Sequence, residues 1–216
     1  MKTQRFPVHK YVAELLGSFV LASAVAISIM THTPVPTQVV AAIVLGTFVY
    51  IFGGFSGAHF NPAVTIAMAS VKKIDLTNAL MYVLFQLIGG VAAYYFSKYF
   101  VGATTGVENF PASVDLWKTA LAEAIGTGML VFGVSAVVWG KVEEEMHGIV
   151  IGSSLLIGIM ITGGLSYGTL NPAVALGIGV PYTSFIYFVA PIVGGILSAW
   201  FFKVLMMDSS NNKSRA

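Results

Sequence analysis

Apolar residues in this chain gather into long unbroken runs, with none of the two-residue alternation that marks a half-buried strand. Six runs cover roughly residues 11–31, 37–56, 80–100, 118–139, 147–165 and 182–206. Each approaches the ~20 residues that an α-helix needs to cross the ~30 Å hydrocarbon core of a bilayer. Two shorter runs, about 61–70 and 171–178, each follow an Asn-Pro-Ala triplet. At ~1.5 Å per residue these reach only about half-way across, which makes them half-helices. The pattern predicts an all-α integral membrane fold: six transmembrane helices plus two re-entrant half-helices. The links are short and polar. Residues 31–37 hold Pro34 and Pro36, Lys72–Asp75 follows the first half-helix, residues 101–117 form the longest link, and Lys141–His147 carries Glu143, Glu144 and Glu145 in a row.

Composition sharpens this picture. Hydrophobic residues make up 56% of the 216-residue chain and charged ones only 9%, against about 25% charged in an ordinary soluble domain. That deficit leaves lipid as the main solvent, and the 23 glycines suit close approach of membrane helices. A net charge of +2 is too small to point to nucleic acid, and the absence of cysteine excludes disulfides and thiolate chemistry. The first run, Tyr11 to Met30, exceeds the ~7–15 residues of a signal-peptide core, so it is expected to stay as the first span.

Six spans place both termini on one side. Lys2, Arg5, Lys10, Lys72, Lys73, Lys141, Lys203, Lys213 and Arg215 then fall on the terminal side, and Lys98 and Lys118 on the other. This asymmetry predicts cytoplasmic termini.

The chain also repeats itself. Residues 53–64 match 163–174 at an offset of 110, Ala13–Gly17 match Ala122–Gly126 at 109, and Tyr82–Gly90 match Tyr187–Gly195 at 105. The blocks keep their order, which divides a single channel domain, 1–216, into halves of about 8–105 and 114–207. Three spans per half is an odd number, so the halves must be inverted relative to each other.

Asn61-Pro62-Ala63 and Asn171-Pro172-Ala173 carry the chemistry. Asn is a favoured helix N-cap and Pro a favoured first helical residue. Each Asn then has amide N–H groups to offer a passing solute. In an inverted repeat the two half-helices enter from opposite faces, so their positive ends meet at the centre. A cation there finds repulsion, while a neutral polar molecule finds two donors.

Together with Ser56-Gly57-Ala58-His59-Phe60 before the first triplet, and with Glu14, Gln86, Glu123 and Pro191–Gly195, these motifs make the chain similar to the major intrinsic protein family, the aquaporins and glycerol facilitators. The resemblance covers essentially the whole sequence. It implies a homotetramer with one pore per subunit, in contact with membrane lipids, conducting water and small neutral solutes. It also implies that Glu14 and Glu123 accept hydrogen bonds from backbone N–H groups of the re-entrant loops, with Gln86 as similar scaffolding. A proton relay is the other reading of intramembrane carboxylates. His59 has two readings, a pore-lining donor or gate near the cytoplasmic mouth and a packing histidine. Gly53, Gly54, Gly163 and Gly164 are expected to allow close backbone approach, and Gly89-Gly90 and Gly194-Gly195 to form helix crossings. No metal cluster, cofactor motif or catalytic constellation is present, so no enzyme is expected.

One departure matters. Family water channels carry an Arg directly after the second triplet, where this chain has Val174. The resemblance places the narrowest ring at Ala41, Ile159, Gly168 and Val174. Such a ring is small, apolar and uncharged, and wide unless Phe52, Phe55 or Tyr167 fills it. Without the Arg, one barrier to protons and cations is gone. The expected function is a channel for water and small neutral solutes, such as ammonia, urea, small polyols or dissolved gases. The alternatives are an ion conductor or a non-conducting structural protein on the same scaffold.

Overall fold

Each long apolar run folds as one helix in the computed structural model, which describes residues 7–102, 115–180 and 184–213, without the side chains of 208–213. Lys2, Arg5, Arg215, residues 103–114 of the longest link and positions 182–183 lie outside these. The long helices are α1 (Val8–Thr31), α2 (Thr37–Ser56), α4 (Leu76–Val101), α5 (Leu116–Val138), α6 (His147–Thr162) and α8 (Ile186–Lys213). The half-helices are α3 (Pro62–Ser70) and α7 (Pro172–Gly177). Six helices are long and apolar enough to span a membrane.

Helix ends depart from the hydropathy pattern where capping overrides it. α4 begins a turn before the expected residue 80 because the Asp75 carboxylate accepts from Asn78 N–H, which brings polar Thr77 and Asn78 into the helix. α6 stops at Thr162, short of residue 165, because Gly163 and Gly164 turn into left-handed backbone at φ 39° and 81°. α8 runs on past 206 into the polar tail and keeps Pro191 inside it.

The two halves pack in the same way. α1 lies on α4 as α5 lies on α8, and α2 crosses α6 between them. Each half receives the other's half-helix: α7 packs on α4, and α3 on α8. Glycines set these distances. A Cβ at Gly89 would strike the carbonyl of Leu15, and one at Gly194 that of Ala124. Gly90 faces the Ala173 carbonyl and Gly195 that of Ala63. Gly53 and Gly54 correct the expectation of close approach, because a Cβ added at either would meet no neighbouring element within 4 Å.

The re-entrant loops are held by two buried carboxylates, both 0% exposed. Glu14 Oε1 accepts from Ser56 Oγ (2.6 Å) and His59 N (3.0 Å), and Oε2 from Phe60 N (2.7 Å) and Gln86 Nε2 (2.7 Å). Glu123 accepts from Thr169 N (3.0 Å), Thr169 Oγ1 (3.0 Å) and Leu170 N (2.8 Å). These bonds restrain backbone that side chains rarely adopt: Ala58, Phe60 and Leu170 have φ of 53°, 47° and 49°. Each such residue costs on the order of 1–3 kcal/mol. The side chains that follow fill matched holes, Phe60 against Gly17 and Leu170 against Gly126.

Glu123→Gln places an amide that donates against backbone N–H groups that also donate. With each orphaned buried donor costing about 1–3 kcal/mol, this variant is expected to unfold well below wild type in detergent, followed by circular dichroism. Glu14→Gln, whose carboxylate takes four donors, should fall further. Among the glycines, Gly194→Ala is expected to lower the melting temperature through the Ala124 clash. Gly54→Ala should raise it, since Ala favours an open helical position by roughly 0.5–1 kcal/mol. Hydrogen bonds from backbone N–H groups, first of all those of Asn78 and Lys118, hold the exposed caps Asp75 and Asp115 below the ordinary carboxylate pKa. Their capping is therefore complete at neutral pH and lost as pH falls below about 4 and through the depressed values. The protection of the Asn78 and Lys118 amides against exchange, taken relative to the intrinsic rate at each pH, should fall only in that acidic range.

Candidate pore

Both Asn-Pro-Ala turns cap a helix. Asn61 Oδ1 accepts from Ala63 N at 2.9 Å, and Asn171 Oδ1 from Ala173 N at 2.9 Å and Val174 N at 3.4 Å. Pro62 and Pro172 occupy the first helical positions, where a missing N–H costs nothing. Each amide nitrogen then reaches across to the other half. Asn61 Nδ2 donates to the Leu170 carbonyl (2.8 Å), and Asn171 Nδ2 to the Phe60 carbonyl (2.9 Å). This reciprocal lock joins the N-termini of α3 and α7 end to end. It consumes one of the two hydrogens on each nitrogen, so each Asn keeps a single N–H to offer.

Both asparagines line a cavity of about 160 Å³. Among the described residues, none lining it is Asp, Glu, Lys or Arg. Ala41, Ile159, Gly168 and Val174 all face it, and a Cβ at Gly168 would lie 3.1 Å from Ile159 Cγ2. The aromatic candidates part company here. Tyr167 lines the cavity and packs its ring 5.0 Å from that of Tyr187. Phe52 stacks against Phe48, Phe55 and Phe60, and Phe55 is 55% exposed. Val64 and Val174 hold matching places after the two triplets and both line the cavity. Ala41, Ile159, Gly168 and Val174 thus present an uncharged and largely aliphatic surface to the cavity.

His59 also lines the cavity. Its Nδ1 lies 3.1 Å from Thr65 Oγ1, and its ring meets that of Tyr82 edge-on at 5.5 Å. Thr65 Oγ1 accepts from Gln86 Nε2 at 2.9 Å, and the same nitrogen donates to Glu14. The structure thus brings His59, Gln86 and Glu14 into one buried polar chain. Glu123 stands apart from it, on α5, where it holds the other loop.

Several lining residues escaped sequence reasoning. Leu21 and Val25 of α1 and Leu130 and Val134 of α5 face the cavity. They repeat at an offset of 109, the same offset that relates Glu14 to Glu123. Projecting the repeat along α1 and α5 would have found them. Gln38, at the start of α2, has no such signal.

Residues 1–202 match the family described as major intrinsic protein. Similar proteins include aquaporin NIP1-2 of Arabidopsis thaliana, 33% identical over 92% of this chain and 74% of that one. Nodulin-26 of Glycine max is 32% identical, covering 92% and 78%. A glycerol uptake facilitator protein-like 6 of Lactiplantibacillus plantarum is 31% identical, covering 92% and 98%. In fold, the chain is similar to the X-ray structure of the aquaglyceroporin from Plasmodium falciparum, with a TM-score of 0.69 and 22% identity over 91% of this chain and 96% of that one. The chain belongs to the major intrinsic protein family, and it is a multi-pass membrane channel for water and small solutes rather than an enzyme.

Proposed function

We propose that the protein passes small neutral solutes and water passively through the cavity centred on Asn61 and Asn171, with Ala41, Ile159, Gly168 and Val174 forming a wide, apolar outer constriction. The observation that carries this reading is a cavity with no charged side chain among the described residues that line it, and with two amide donors in it. A cation entering such a space loses hydration and gains no counter-charge. A neutral solute loses less and recovers hydrogen bonds at the asparagines. The relatives' names, aquaporin and glycerol uptake facilitator, fit both water and a small polyol.

Around this pore we infer one channel domain built from inverted halves, assembled as a homotetramer in the cell membrane with both termini cytoplasmic. The lysines on the proposed cytoplasmic side support that orientation. Lys73 Nζ lies 4.2 Å from the Trp139 ring and Lys203 Nζ 4.3 Å from Trp200, an arrangement suited to the aromatic belt at a bilayer surface.

In liposomes, stopped-flow light scattering should show water, glycerol, urea or ammonia crossing faster than in empty vesicles, without currents in planar bilayers. If no solute exceeds the empty-vesicle rate, the reading fails. Val174→Arg is expected to narrow the ring and add a fixed positive charge, lowering passage of the larger solutes most. An unchanged solute ranking would remove Val174 from the constriction.

A further inference from the structure

The polar chain behind His59 has a direction, and Glu14 sets it. Four donors converge on its two oxygens, and an ionised carboxylate has no hydrogen to give. Gln86 must therefore turn its NH₂ toward Glu14. A flipped amide would set oxygen against oxygen. The price of this orientation is visible, since Gln86 Oε1 is buried without a partner. The second hydrogen on Gln86 Nε2 goes to Thr65 Oγ1 at 2.9 Å. That oxygen now accepts, so its own hydrogen must go elsewhere. His59 Nδ1, 3.1 Å away, is its remaining side-chain partner among the described residues.

We propose that Thr65 and Gln86 are positioning residues that hold His59 as the neutral tautomer with its hydrogen on Nε2, and so present a third fixed donor to the pore. With Nδ1 accepting, a neutral imidazole has only Nε2 left to carry the hydrogen. The Nε2 edge lies toward exposed Gly57, whose added Cβ would sit 3.6 Å from it. Among the described residues Nε2 has no hydrogen-bond partner, and it is not among the buried unpaired atoms, so it stays accessible. The inference rests on the cavity being the conduction path.

The second half lacks this device. Thr169 stands at the place of His59, and its hydroxyl donates straight to Glu123 Oε2 at 3.0 Å. Pro191 replaces Gln86 and Ala175 replaces Thr65 at matching repeat positions. The third donor therefore belongs to one side of the asparagine pair. A solute that accepts hydrogen bonds is favoured there, and an arriving proton meets N–H at the ring instead of a lone pair.

Solid-state ¹⁵N NMR of histidine-labelled protein in lipid bilayers tests this directly at neutral pH. His59 precedes Phe60, and no other His-Phe pair occurs in the sequence. Labelled phenylalanine therefore assigns its signals without any substitution. The expected spectrum shows a protonated Nε2 and a bare Nδ1. A protonated Nδ1, or a doubly protonated ring, overturns the proposal. Thr65→Val and Gln86→Leu should each convert the single tautomer into a mixture. A spectrum unchanged in both would overturn the positioning roles. The spectrum does not depend on conduction, so a protein that holds the tautomer yet passes no solute would sink the channel reading, and with it the donor's role in a pore, while the tautomer and its positioning by Thr65 and Gln86 would stand.

Discussion

Two buried carboxylates against two strained loops form the constraint on which everything else rests. Backbone at φ near +50° in Ala58, Phe60 and Leu170 would relax if left to itself. Burying an ionised group in a membrane protein would be costly if that group lacked partners. Each problem answers the other. The loops offer backbone N–H groups that have no helical partner, and Glu14 and Glu123 offer acceptors that have no water. Only with the loops fixed can Asn61 and Asn171 reach the opposite carbonyls and hold the ends of α3 and α7 together. The intramembrane carboxylates are thus absorbed by loop geometry, and neither lines the cavity.

Close packing of backbones does the remaining positioning. Lipid tails are as apolar as leucine, so membrane helices gain their contact from small residues that let main chains approach. Gly90 and Gly195 admit the carbonyls of Ala173 and Ala63, and through them each half grips the other half's short helix. The repeat is therefore interlocked: neither half can hold its own half-helix in place without the other.

Where the halves differ, the difference bears on selectivity. Val64 and Val174 follow the two triplets at matching places and both line the cavity, so the residue after each triplet does not distinguish the halves. The asymmetry lies instead in His59 and Thr65 against Thr169 and Ala175, and in Tyr167 at the outer loop. In the constriction proposed at Ala41, Ile159, Gly168 and Val174, apolar surface would exert little attraction of its own, which would leave discrimination to size and to the few fixed donors near the centre.

The sequence by itself determined the six spans, the two half-helices and the internal repeat. Hydropathy, capping preference and a constant offset are local or periodic properties, and lipid enforces them strictly. It also marked Val174 as the break in the family pattern. Helix ends were less legible, because a single cap such as Asp75 or a left-handed Gly163 overrides hydropathy by several residues. Only the tertiary structure decided that a side chain at Gly53 or Gly54 would meet open space, that Tyr167 and not Phe52 or Phe55 faces the cavity, and that each asparagine gives one hydrogen to the opposite loop. It alone joined His59 to Glu14 through Thr65 and Gln86. Those residues lie on α1, α3, α4 and the loop before α3, and no periodicity along the chain encodes which lone pair meets which hydrogen. The triplets announce a pore, and the folded polar network sets which donors that pore presents.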